Sequence, residues 1–244
     1  MSNRPDPDVN DLLARIAELE RRLGQREPSE DSRADIWFLL DRSGSMSAIS
    51  QYVVQGFDEF FAEQRKVSGE ATVTLVQFDS EDPHDVLIDA APLDAVLSIA
   101  GRFEPRGMTP LYDAIGLMLD RAEARLAATG ADPADQLVVI MTDGLENASH
   151  RCTARAVFER IAALRASGWT FAFLGANQDS YATGSAMGMA AGSTSNFTAS
   201  PESVLAAQRG LTRTVREWRH KPRAARVADA DDFWGGIKEG EEPA

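Results

Sequence analysis

The chain has 244 residues, 43% hydrophobic and 26% charged, with 38 acids against 25 bases for a formal net charge of −13. That size and balance fit a soluble globular protein of one sizeable domain with extensions, or of two small ones. The charge disfavours nucleic acid and anionic membranes as partners, the single Cys152 allows no intramolecular disulfide, and no stretch approaches membrane-spanning length.

The opening MSNRPDPDVND is polar and leads into no apolar core of a secretory leader, so the cytoplasm is the expected compartment. Val9, Leu12, Ile16, Leu19 and Leu23 then alternate at spacings of three and four, a short heptad seam. It fits either an amphipathic helix docked on its own domain or a dimerising coiled coil through residues 9–23. QREPSEDSRAD reads as a linker, which makes residues 1–32 a separate N-terminal segment.

From residue 33 strand and helix signals alternate. ADIWFLLD is a continuous apolar run, as in a strand covered on both faces. A helix follows with Ile49, Val53, Phe57, Phe60 and Phe61 on one face, and Ser47 is the expected N-cap. ATVTLVQFD reads as a strand, with Val73 and Leu75 alternating and Phe78 in phase only after a shift. DVLIDAAPL follows closely enough for an antiparallel hairpin at a sheet edge. LYDAIGLMLDRAEARLAATG is a helix stopped by Gly130. QLVVIMTDG is a buried strand, TARAVFERIAALRASG a helix ending at Gly168, and WTFAFLGAN a further core strand. Met187 and Met189 read as packing or loop residues. SPESVLAAQRGLTRTVREW is a helix with Ser200 as N-cap and Pro201 at its first position. Residues 221–244 read as a charged, disordered tail. The expected fold is α/β: a doubly wound, mostly parallel, Rossmann-like sheet with one antiparallel edge strand and helices on both faces.

In such sheets ligands bind at the carboxyl ends of the strands. Two strands here finish in an acid, at Asp41 and at Asp143-Gly144, and RGMTPLYDAI places Thr109 just before a helix. Asp41, Ser43, Ser45, Thr109 and Asp143 offer oxygen donors alone, a set that selects Mg²⁺ or Mn²⁺ over softer metals. Zinc is not expected, since His150 and Cys152 have no second cysteine to join and His84 and His220 are distant in sequence.

Asp41-Arg42-Ser43-Gly44-Ser45, then Thr109, then Asp143-Gly144 resembles the von Willebrand factor A domain of the compact bacterial type, whose metal-ion-dependent adhesion site reads D-x-S-x-S, T, D. The similarity spans about residues 33–220. It implies that Ser43 and Ser45 bind the metal directly, Thr109 directly or through water, and Asp41 and Asp143 mostly through water. A Glu or Asp from a protein partner would complete the shell, and an ATPase or chaperone-like protein is the kind of partner such relatives have. Arg42, Met46, Met108, Glu146 and Asn147 flank the ligands and are the expected partner contacts, although a solvated loop also accounts for Glu146 and Asn147. Tyr112 and Asp113 begin a helix, where an acid favours the dipole in any case.

The expected function is thus a non-enzymatic, metal-dependent protein-binding module. A Mg²⁺-dependent phosphatase or phosphotransferase with Asp41 as nucleophile is the enzyme alternative. Haloacid-dehalogenase-like enzymes, which such a site would resemble, carry a second Asp as general acid where this chain has Ser43, which cannot do that at neutral pH. A self-associating scaffold with a non-functional metal site is the third reading.

Overall fold

Residues 33–96, 98–176 and 180–235 are described by the computed structural model of the chain. The heptad seam at 9–23 lies outside them. Six strands form one sheet in the order β3-β2-β1-β4-β5-β6: β1 (Ala34–Asp41), β2 (Ala71–Phe78), β3 (Asp85–Pro92), β4 (Gln136–Thr142), β5 (Thr170–Ala176) and β6 (Thr194–Phe197). All neighbours are parallel except β2 and β3, the expected antiparallel edge pair. The strand order reverses between β1 and β4, whose facing ends carry Asp41 and Thr142-Asp143. That is the crevice where an open α/β sheet leaves room for a ligand.

The apolar runs follow from burial on both faces. Ile36, Phe38 and Leu40 point into one core and Trp37 and Leu39 into the other, as the two-residue side-chain period of a strand requires. The first core is closed by α1 (Ser50–Gln64) and α5 (Pro201–His220). Within it the Phe38 ring meets Phe57 and Phe60 edge-on, each at 5.1 Å, the arrangement that ring quadrupoles favour. The second is closed by α2 (Leu111–Thr129) and α3 (Ala154–Ala166). β2 keeps simple alternation, with Val73 and Leu75 on one face and Val76 and Phe78 on the other. The shift anticipated in this strand lies instead in its pairing with β3, between Val73 and Leu75 and again between Leu75 and Val76.

The helix ends obey local chemistry. Gly130 adopts φ 62° and caps α2 in the left-handed region. Ser200 accepts the Ser203 N–H at the start of α5, with Pro201 next. α1 differs from expectation. Residues Gly44–Ile49 form a 3₁₀ segment before it, and the Ser47 hydroxyl donates to Gly44 O at 2.7 Å rather than capping the helix.

Two short elements escaped the sequence reading, α4 (Ser180–Ala186) and the edge strand β6, whose four residues TSNF carry little apolar signal. Met187 and Met189 are buried, as packing residues. The tail boundary at 221 is too early. Arg223–Ala228 forms α6, and the buried Arg226 pairs with Asp135 at 3.1 Å and lies 4.2 Å over the Trp218 ring. Phe233 and Trp234 join the first core. The segment reads as charged, yet its buried side chains give it a place in the fold; residues 236–244 lie outside the described residues.

Candidate metal centre

Asp41 ends β1 beneath the crevice and is fully buried. One carboxylate oxygen accepts the Ser43 N–H at 2.6 Å and the other the Thr142 hydroxyl at 2.5 Å. The Ser43 and Ser45 hydroxyls are 3.0 Å apart, and Ser45 Oγ donates to Asp143 Oδ1 at 2.6 Å. Thr109 joins through Gly144, where an added Cβ would lie 2.9 Å from Thr109 Oγ1 and 3.7 Å from Asp41 Oδ2. The five sequence-predicted residues therefore neighbour one another, on three loops separated widely in sequence.

The electrostatics of that point favour a cation. Burial, reinforced by the nearby Asp143 charge, pushes Asp41 up to about 6 in spite of the Thr142 and Ser43 hydrogen bonds. Burial also raises Asp143, with Ser45 pulling the other way. Two desolvated carboxylates among hydroxyls fit a hard dication that retains open positions. Among the described residues no group of three His, Cys, Asp or Glu side chains is placed to hold a metal ion, so a bound ion would draw on hydroxyls and on groups from outside.

The von Willebrand factor type A domain model matches residues 35–208. The chain belongs to that family. Von Willebrand factor A domains generally mediate metal-dependent protein interactions, and commonly use Mg²⁺ or Mn²⁺. Among solved structures, the chain is similar to the mussel byssus protein proximal thread matrix protein 1 at 18% identity and TM-score 0.51, covering 86% of this chain and 53% of that one. It is also similar to the pilus adhesin SpaC of Lactobacillus rhamnosus GG at 15% identity and TM-score 0.51, covering 87% and 31%. A manganese-loaded TRAP protein of Plasmodium vivax aligns at 20% identity and TM-score 0.42, covering 61% and 59%. The chain thus spans less than two thirds of each of these. No curated protein matches.

In this von Willebrand factor A domain, hydrogen bonds and ion pairs hold the three loops. Asp79, fully buried just past β2, accepts from the Arg42 and Arg106 guanidinium groups at 2.7 and 2.9 Å. Burial opposes its ionised form, but the Asp82 and Glu81 amides and the two arginines outweigh it, and its pKa is lowered. Arg42 adjoins Asp41 and Arg106 precedes Thr109 by three, so one carboxylate ties two of the loops to the sheet. The Gly44 amide donates to Gly107 O at 3.1 Å, and the Arg106 amide to Arg42 O at 2.8 Å.

The third loop is pinned to the start of α2. Glu146 accepts from the Tyr112 amide at 2.9 Å and the Ser149 hydroxyl at 2.7 Å. Asp113 accepts the His150, Arg151 and Cys152 amides at 2.8, 2.8 and 2.7 Å. Those amides hold Asp113 below the ordinary carboxylate range although burial opposes it.

These contacts revise the expected partner contacts. Arg42 and Met46 are buried, Arg42 by its pairs with Asp79 and Asp85 and Met46 by core packing, so neither is a rim residue. The Glu146 carboxylate is spent on backbone amides and a hydroxyl, and Asn147 clasps Thr109, so neither belongs to a merely solvated loop. Met108 is exposed as expected. Sequence reasoning passed over the exposed Leu145, whose signal was an apolar residue just after Asp143-Gly144. It also passed over Asp79 and Arg106, which carry no pattern of their own, and read Asp113 as a dipole acid.

Proposed function

We propose that this protein is a non-enzymatic binding module that grips an acidic side chain of a protein partner through Mg²⁺ or Mn²⁺ at a metal-ion-dependent adhesion site. Ser43, Ser45 and Thr109 would hold the ion directly or nearly so, and Asp41 and Asp143 largely through water. When bound, the ion supplies a Lewis-acidic position for an outside carboxylate. The observation that carries this reading is the meeting of two buried carboxylates and three hydroxyls at the strand-order reversal.

The partner we expect is an ATPase or chaperone-like protein in the cytoplasm. Residues 9–23 offer a separate route to a homodimer. Among the described residues no helix is long and apolar enough to cross a membrane.

Calorimetric titration with Mg²⁺ and Mn²⁺ tests the site. Asp41→Ala abolishes binding and Thr109→Ala weakens it, while far-UV circular dichroism stays unchanged. Undiminished affinity in Asp41→Ala would refute the site. Turnover of a generic phosphomonoester by the wild type, lost in Asp41→Ala, would replace this reading with the phosphotransfer one.

A further inference from the structure

Four large apolar side chains are exposed among the described residues: Met108 at 54%, Leu145 at 60%, Phe158 at 44% and Val227 at 47%. Phe158 and Val227 lie on α3 and α6. Met108 and Leu145 sit on the two loops that carry Thr109 and Asp143, one residue to either side of the contact between Thr109 and Gly144.

Neither side chain is exposed because its loop is loose. The Met108 amide donates to Ser80 Oγ at 2.9 Å, and Gly107 adopts φ 67° with Ser80 packed where a Cβ would stand. Leu145 lies between Gly144, pressed on Thr109, and Glu146, bonded to the start of α2. Two pinned backbones thus hold two apolar side chains in solvent on the two touching loops that carry Thr109 and Asp143. Isolated exposed apolar residues are ordinary, but two on touching loops of a proposed binding point are where a contact surface would need them.

We propose that Met108 and Leu145 form an apolar shelf that selects partner segments whose Asp or Glu has a large apolar side chain within two residues. Two residues of extended chain reach about 7 Å, enough to pass from the metal position onto the neighbouring loops. The inference rests on the metal–carboxylate reading above. The occupant is a protein partner's segment: a carboxylate suits the cation, and its apolar neighbour suits the shelf.

A phage-displayed random heptapeptide library, selected on the immobilised full chain in Mg²⁺ and eluted with EDTA, tests this. The eluted pool should be enriched in Asp or Glu with Leu, Ile, Met or Phe within two residues. On the Met108→Ser/Leu145→Ser variant the acid should persist while the apolar enrichment disappears. A synthetic peptide from the wild-type pool should bind that variant about tenfold more weakly, as expected for losing one buried apolar contact. Both positions are exposed, and a melting curve confirms that the variant folds.

An acid signature without apolar neighbours, or an enrichment that survives the double substitution, overturns the shelf and leaves the metal–carboxylate reading standing. No EDTA-eluted acidic pool from the wild type overturns both. A change in sedimentation mass on the double substitution, with peptide preference unaltered, reassigns the shelf to a contact between copies and overturns the proposal.

Discussion

Thr109 and Asn147 bond to each other twice: the Thr109 amide donates to Asn147 Oδ1 at 2.8 Å, and the Asn147 amide donates to Thr109 O at 3.1 Å. The clasp fixes the backbone that carries the Thr109 hydroxyl against the loop that carries Asp143. Outer groups of this kind typically control metal affinity by about 10–100-fold. Asn147→Ala should therefore weaken Mg²⁺ binding by about tenfold in a calorimetric titration, with the melting temperature little changed. Equal affinities would show that Thr109 needs no clasp.

The burial of Asp41 makes stability and metal binding depend on pH in opposite ways. Its carboxyl titrates at about 6 in the folded chain against 3.8 ordinarily. Between those values the folded chain keeps a proton that the unfolded chain has lost. Stability without metal therefore falls as pH rises through this window, by on the order of 3 kcal/mol for this group alone. A bound dication favours the ionised form and removes the penalty. Saturating Mg²⁺ should raise the melting temperature more near pH 7.5 than near pH 5. Equal shifts at both would remove Asp41 from the site.

Asp79→Ala strips a buried carboxylate from Arg42, whose side chain is itself buried. Breaking one partner out of such a pair typically costs about 3–5 kcal/mol. We expect the low end, because Arg42 keeps its 2.9 Å pair with Asp85. Urea denaturation reads the loss. Metal affinity measured below the transition should also fall, since Arg42 and Arg106 anchor the loops beside Asp41 and Thr109.

Trp234 tests the extent of the domain. It is 2% exposed, and its amide donates to Gly192 O at 3.0 Å. Trp234→Ala should cost about 3 kcal/mol in chemical denaturation, the usual loss for emptying a buried aromatic site. A loss near zero would return residues 229–235 to the status of a tail.

Much of this was legible in the chain. Buried parallel strands announce themselves as apolar runs, so β1, β4 and β5 could be read directly, as could the switch-point carboxylates that close β1 and follow β4. Asp41 and Asp143 were legible because one closes a strand and the other directly follows one, and Thr109 because it stands just before a helix, whereas Ser43 and Ser45 were legible through the D-x-S-x-S spacing after Asp41. The residues that steady them were not. Asp79, Arg106 and Asn147 act through contacts between loops far apart in sequence, and nothing in a local window distinguishes a buried ion-paired acid from a solvated one. Arg226 and Trp234 failed for the same reason, as composition alone marked their segment as charged.

The Asp113 clasp on the His150, Arg151 and Cys152 amides also fixes the place of the chain's one thiol. Cys152 is the chain's single thiol, and burial, with the Asp113 charge, raises its pKa. It packs where a Cβ on Gly116 would stand 2.6 Å from its sulfur. A thiol reagent added to the intact protein therefore reacts at one position, a half-buried cysteine on the loop that the Asp113 clasp holds against α2. A label placed there is a single reporter on one wall of the site. If a bound ion tightens that wall, the reporter's signal changes.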